Sequence, residues 1–584
     1  MRRLSFLCEA LLIPLLFAVA TAPVCAQAPL EASQLPARTS FYLIWRGAPA
    51  GDARKSNALL SLWDDPDLAP ARAAMIDAMM NNAKQQKDKP KLTREQMTEF
   101  ATLLDNPFTA GYLPKPPSAA TKASTTKESS TTKEVPPAWN GLFFVYDRTG
   151  KEELLSKAVL RMRASEADIP KLTEVTIAGV KALKIEHKSG TTYWAENGKF
   201  AVAASEETVF EEVLNRLAGK SPGGSLAESD AYKEAKPLLS AGLLEFFLRV
   251  PQIKDMAGDT GSSTPQIKML LSALKLDAIH SFAGHITLEG PRTRLQGAVL
   301  GDTAEGSLFD IWPVGQAKPA TLAFVTPETV YFNESQINLL GIFSTINRAF
   351  MQPGSNTAPV VSTLESAAQT RIGMPLTDAL ALPTGEFATL QNSPKLDPDK
   401  KMFLAGITKK PETLKLIRSI YGDQLTSEHT EGDITYLKIS LNGNQGTKGV
   451  AQWNFYHLAL TPNFLLGASK NETLRAALEA SPTTGDSALP KNIQAARAQF
   501  PGKINSFTYF DFQKLDWAVL KQQWLTESSK ATADAKTTTD SPKTKSLSHW
   551  MTDVNPAVFP RHLHSLTGGS WKDANGVHFD EWLD

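Results

Sequence analysis

Cysteine is the scarcest residue, with two in 584 positions, Cys8 and Cys25. Both lie in or beside an N-terminal export signal, so the mature chain is expected to hold none. That excludes a disulfide scaffold, a thiol nucleophile, cysteine-ligated zinc and iron–sulfur chemistry. An excess of one charge is missing too. Lys+Arg and Asp+Glu are 61 each, which argues against a nucleic-acid binder. Beyond the N-terminus no apolar run approaches the ~20 residues of a membrane-crossing helix; Leu243–Val250 is broken by Glu245 and Arg249. The nucleophile-elbow, phosphate-loop, helical zinc-protease and dinucleotide-binding signatures are all absent from the sequence.

The export signal itself is present. Arg2 and Arg3 form a basic start, Ala10–Ala20 an apolar stretch too short to span a membrane, and Val24-Cys25-Ala26 a small-residue cleavage site, with the cut after Ala26 or Ala28. The expected destination is the periplasm or the medium. Lipid attachment at Cys25 is the lesser reading, because Pro23-Val24 makes a poor lipobox. Hydrophobic residues at 42% and charged residues at 21% describe an ordinary globular chain. Its length exceeds what one core supports, and without disulfides an exported chain needs sizeable cores.

Two stretches organise the rest. Asn197–Leu214 and Thr461–Leu478 each read as a turn, an apolar strand ending in Ala-Ser, and a helix. Aligned without a gap, they set Phe200 against Phe464 and Ser205 against Ser469. Ser205 and Ser469 are expected to cap their helices. Other units repeat in the same order. Leu35-Pro36-Ala37 and the strand Phe41–Trp45 match Lys318-Pro319-Ala320 and Leu322–Val325. Leu142 matches Met402, Ala178-Gly179 matches Glu431-Gly432, and His280-Ser281 matches His564-Ser565. The fold class expected is α+β: two tandem, pseudo-symmetric α+β modules with mainly antiparallel sheets flanked by helices. Residues 1–26 are the signal, 33–312 the first module and 316–584 the second. Low-complexity linkers rich in Ser, Thr and Lys fall inside them, at 114–137 and 526–548.

The layout resembles a bacterial family of exported proteins of unknown function, through Leu35-Pro36-Ala37 ahead of an apolar strand ending at Trp45, and through the strand–Ala-Ser–helix units Phe200–Leu214 and Phe464–Leu478. The resemblance implies a duplicated α+β architecture and an exported location. It carries no catalytic residue to transfer.

Candidate chemistry is thin. His562 and His564 form an H-x-H that, on a strand, puts both rings on one face; they are the weak candidates for a metal, and no cofactor is expected. His280-Ser281 and His564-Ser565 are adjacent pairs whose side chains point to opposite faces of a strand, which suits structure better than a Ser–His couple. Trp45-Arg46 and Trp63-Asp64-Asp65 could touch a ligand, although packing is the commoner use of such aromatics. Glu206-Glu207 and Glu211-Glu212 suit the start of a helix. The function expected is a non-catalytic binding or assembly module acting on an unknown envelope protein or polymer, without nucleic acid and without a transmembrane segment in the mature chain. The alternatives are a hydrolase acting on envelope polymers and a carrier of an apolar ligand. A filled surface between the halves favours the first, a cleft with converging carboxylates or His the second, and a dry tunnel the third.

Overall fold

A computed structural model describes residues 27–74, 76, 93–114, 141–157, 171–187, 190–220, 223–240, 242–250, 278–304, 307–313, 315, 318–350, 358–440, 455–480, 489–534 and 552–584. The stretch read as an export signal, most of the first low-complexity stretch, and residues 265–275, whose sequence also reads as a helix, lie outside these residues.

Twenty strands among the described residues join into one antiparallel sheet. In the first half they are β1 Phe41–Trp45, β2 Phe108–Tyr112, β3 Leu142–Asp147, β4 Lys171–Ile177, β5 Val180–His187, β6 Gly190–Asn197, β7 Phe200–Ala204, β8 Leu244–Arg249, β9 Ile279–Glu289 and β10 Arg292–Gly301. The second half adds β11 Tyr331–Gln336, β12 Pro383–Gln391, β13 Lys401–Ile407, β14 Leu425–Glu431, β15 Ile434–Ile439, β16 His457–Leu460, β17 Phe464–Ala468, β18 Ser506–Asp511, β19 Ser565–Lys572 and β20 Gly576–Leu583. The hydrogen-bonded order is 4-5-6-7-3-2-1-8-9-10-20-19-18-11-12-13-17-16-15-14. Read from either end, it is the same order. The centre is β10 against β20, paired antiparallel from Thr293–Leu583 to Leu300–Gly576. That is the pairing a two-fold axis through the sheet produces.

The pair registers link the likenesses seen in the sequence. Ser281 lies opposite Arg249 on β8, and Ser565 opposite Asp511 on β18. Setting Ser281 against Ser565 therefore sets Arg249 against Asp511. Stepping on through β1, β2 and β3 sets Tyr42 against Phe332 and Phe143 against Met402, and the next step sets Phe200 against Phe464. The walk leaves from one sequence likeness and arrives at another.

It also corrects three matches. Met402 answers Phe143, not Leu142: Phe143 and Met402 are both in the core, whereas Leu142 is half-buried and Lys401 exposed. A slip of one residue would turn every side chain to the other face. Both hairpins turn on two residues, Ala178-Gly179 and Gly432-Asp433, so Ala178 answers Gly432. The counterpart of β1 is β11, and Leu322–Val325 is not a strand. Ala320–Phe324 is a 3-10 helix whose Phe324 packs into the core ahead of β11, much as Leu30 and Leu35 do ahead of β1.

Alternation along the strands feeds cores on both faces of the sheet. Tyr42 and Ile44 enter one core with the helix Glu207–Leu217; Leu43 and Trp45 enter another that includes Leu103. In the second half Tyr436 and Ala459 enter one core, and Leu437 and Leu458 the opposite one. The stretch read as the second linker begins inside a helix, Trp517–Asp534. Its first residues carry no Pro or Gly, and Ala, Glu and Lys continue a helix readily.

Candidate functional site

Polar clusters gather at two kinds of place, inside each half and at the junction between them. The interior clusters come first. On β8 the Glu245 carboxylate is buried opposite Ile44 of β1. It accepts from the Tyr42 hydroxyl at 2.5 Å and from Arg46 Nη2 at 3.4 Å, and Arg46 also grips Glu31 at 2.5 and 3.0 Å. Burial raises the Glu245 carboxyl above its ordinary range, against the pull of Tyr42 and Arg46. In the second half the buried carboxylate has crossed to the facing strand: Glu334 of β11 lies opposite Phe507 of β18. Arg497 Nη1 reaches it at 3.1 Å, and burial pushes its carboxyl up to about 7. Glu386 nearby accepts from the Thr321 amide at 2.6 Å. Each half thus closes the end of its first strand with a carboxylate–guanidinium plug. Glu245 and Glu334 are 5% and 0% exposed, so neither faces a substrate. A buried ion pair of this kind acts on fit rather than turnover.

The junction cluster is built on the helix Ala58–Asp64. Asn57 caps it, accepting from Leu60 N at 3.1 Å, while the same Oδ1 accepts from Thr293 Oγ1 of β10 at 3.1 Å. The helix start is thereby fixed to the central hairpin. Asp65 then caps a 3-10 turn, Pro66–Leu68, with one oxygen on Asp67 N at 2.9 Å. Its other oxygen faces His562 Nε2 at 2.8 Å. His562 Nδ1 lies 2.8 Å from Ser61 Oγ, which also reaches Ala58 O at 3.1 Å. Arg561 approaches Asp65 at 3.5 Å and pairs with Asp67. Beneath these groups an apolar floor joins Leu62, Leu68 and Ala71 to Val554, Val558 and Phe559, and Trp517 stacks on Phe559 at 4.4 Å.

Ser61, His562 and Asp65 thus form a chain of the kind that activates a serine hydroxyl. Three details distinguish it from a hydrolase triad. The ring is turned, with Nδ1 on serine and Nε2 on the carboxylate. Ser61 sits within a regular helix, and its one proton is shared between Ala58 O and the ring. Asp65 also serves Arg561. Burial raises the Asp65 carboxyl, but the bonds from His562 and the Asp67 amide and the charge of Arg561 outweigh it, leaving the group below its ordinary range.

The candidate residues are therefore placed as follows. His562 ends a short helix, Val558–His562, and exposed His564 lies in the connection before β19. The H-x-H is not on a strand because Pro556 and Pro560 suit a helical turn and a bend. His562 is engaged with Ser61 and Asp65, and among the described residues no group of three His, Cys, Asp or Glu is arranged to hold a metal. His280, on β9, is exposed 3.3 Å from Glu234. Trp45 is buried with its indole nitrogen on Leu104 O at 2.6 Å, and Arg46 is committed to Glu31 and Glu245. Arg72 lies over Trp63 at 6.0 Å, and Asp64 holds Arg54.

Ser205 and Ser469 cap no helix. Glu206 occupies the cap position, and Ser205 Oγ accepts from Gly141 N and Leu142 N at 2.8 and 3.0 Å. Ser469 Oγ donates to Asp399 Oδ1 at 2.9 Å. Both hydroxyls tie the strand–helix corner to the start of the neighbouring strand, a long-range use that competes with capping. The partners of His562 escaped the sequence reading for a similar reason: they lie 501 and 497 positions away.

No protein-family model matches this chain, and no curated protein or solved structure matches it either. Among the described residues no helix is long and apolar enough to cross a membrane.

Proposed function

We propose that this chain is an exported, non-catalytic binding or assembly module of the cell envelope, made of two tandem α+β copies. The observation that carries this reading is the filled junction. Proteins that turn over or carry a ligand between like halves use the cleft between them. Here β10 and β20 run in one ladder. Arg294 holds Asp580 at 2.6 and 2.9 Å, Gln296 joins it at 3.1 Å, and Trp582 stacks on Phe500 at 4.9 Å with Arg292 5.6 Å from its ring. Partners are left the outer surfaces, including the terminal strands β4 and β14, which are exposed along nearly their whole length. Export is supported by the signal and by the start of the fold: Ala28 and Leu30 are already buried, which favours cleavage after Ala26. The palindromic strand order supports the duplication.

The Ser61–His562–Asp65 chain favours a second reading, a serine hydrolase of envelope polymers. One experiment separates the two. A photo-crosslinking residue at Leu172 on β4 or His429 on β14 is expected to give a discrete adduct in intact cells, while the purified protein stays inert to a fluorophosphonate probe. Labelling of Ser61, lost in Ser61→Ala, with no adduct at either strand would replace the binding reading by the enzymatic one.

A further inference from the structure

The sheet ends on β4 at one side and on β14 at the other. Among the described residues β4 pairs with β5 alone and β14 with β15 alone. Five of the seven residues of β4 and six of the seven of β14 are exposed, and Leu172 on β4 is 45% exposed. The outer backbone row of each strand is therefore open to a further strand.

The two edges fit each other in sense, face and phase. Twenty strands, each antiparallel to the next, set the first and the last in opposite directions. A second copy in the same orientation thus brings its β4 antiparallel to β14. Ile177 of β4 enters the core under the helix Glu207–Leu217, and Glu431 of β14 meets Arg475 of the helix Asn471–Ala480. The pair registers run from Ile44 through Gln296 and Asp580 to Phe507, so the cores under these helices lie on one side of the sheet. Odd-numbered side chains of both strands therefore share a face. Each hairpin turns on two residues, which a hydrogen-bonded pair closes, Ile177–Val180 and Glu431–Ile434. Alternation then turns the amides and carbonyls of Leu172 and Glu174 outward on β4, and those of Glu428 and Thr430 outward on β14. Setting Leu172 against Thr430 and Glu174 against Glu428 makes two pairs that can exchange both bonds.

Charge favours unlike edges. In that register Lys171 stands opposite Glu431. Glu174 meets Glu428, whose charge is already balanced by Arg418 at 2.5 and 3.0 Å. Two copies of β14 have no lysine to set against Glu428 and Glu431. Two copies of β4 cannot set Lys171 against Glu174, because three positions apart they lie on opposite faces.

We propose that the chain assembles with a second copy of itself, β4 of one copy pairing antiparallel with β14 of the next. This rests on the binding reading above and names the partner of those strands. The contact is head to tail, and each added copy leaves one β4 and one β14 free, so assembly is open-ended.

The test is sedimentation equilibrium of the full mature chain. The mean mass of the wild type is expected to climb with concentration past that of a dimer. Glu174→Pro blocks β4 and Thr430→Pro blocks β14, each at an outward amide that the existing ladder does not use. Each variant alone should lose at least tenfold in self-affinity, and an equal mixture of the two should associate and stop at the dimer, since each keeps the edge the other has lost. Leu172→Lys and Thr430→Lys keep every backbone amide and repeat the test where a proline unfolds its hairpin. A photo-crosslinking residue at Leu172 in the purified protein should map to β14 of a second copy. A wild type that stays monomeric at every concentration, or a blocked variant that still dimerises alone, overturns the proposal. An adduct at Leu172 to a different protein in cells, with the purified chain monomeric, overturns it and leaves the binding reading standing.

Discussion

A carboxyl group with no exposed surface is the sharpest single-residue statement this molecule makes. Glu334 has one bond, from Arg497, while its Oε1 has none. With its pKa raised to about 7 by burial, the folded state holds a proton that the unfolded chain releases near pH 4 to 5. The sign follows. The stability this group lends is fully present below the unfolded value, declines as pH rises, and is gone above about 7. Glu334→Gln should abolish that slope. Urea unfolding at pH 5, 6, 7 and 8 should show the variant gaining on the wild type by up to ~3 kcal/mol across the range; a difference independent of pH would sink the assignment. A second residue-scale expectation rests on the turn between β4 and β5. Ala178 has φ 51°, a conformation glycine adopts without strain, and its counterpart is Gly432, with φ 58°. Ala178→Gly should therefore stabilise by about 0.5–1 kcal/mol in denaturant unfolding, whereas a loss would mean that the turn does not hold that geometry.

At the scale of elements, the helix Ala58–Asp64 belongs to the first half by sequence and is held by both halves, its start by Thr293 and Pro291 and its far side by the segment before β19. His562 holds two of its polar groups, Arg561 holds the following turn, and Phe559 and Val558 pack beneath it. Removing the ring in His562→Ala leaves Asp65 and Ser61 with one partner fewer each, at a cost of about 1–3 kcal/mol. The loss should be local. Hydrogen exchange should accelerate across residues 58–68 and stay unchanged in β13 to β17; an even loss of protection throughout would refute the tether. This is also the level at which sequence reading succeeded and then stopped. The apolar run Phe200–Ala204 and the helical spacing in Glu207–Leu217 are short-range signals, and the elements stand there. Ser205 looked like a cap because its place next to the helix start is a local fact. Its bond to Gly141 is not. Leu322–Val325 looked like a strand because four apolar residues in a row fit either a buried strand or a tight helical turn. The Ser61–His562–Asp65 chain had no local signal at all.

For the whole molecule, likenesses between the two halves were legible in the sequence, but the joining of the halves into one sheet was not. Nothing in Arg292–Gly301 or Gly576–Leu583 taken alone says that they pair with each other, since an antiparallel strand carries no address for its partner beyond an alternating face. The pairing decides how the protein unfolds. The core around Phe332 and Phe507 reaches across to Trp582, and Trp582 in turn is covered by Arg292 and Arg294 from the first half. Gly569 leaves room for the Phe500 ring that stacks on it; a Cβ there would stand 2.6 Å from that ring. Two cores joined through one ladder, with Trp582 of one lying against arginines of the other half, should melt together. Calorimetry of the mature chain is expected to show one transition. Trp582→Ala, which removes the ring beneath those arginines at a cost of about 3–5 kcal/mol, should lower that transition as a whole or split it in two. Two transitions already in the wild type, of which the substitution shifts only one, would mean that the halves fold independently and that the ladder between β10 and β20 is a contact between domains rather than the spine of one sheet.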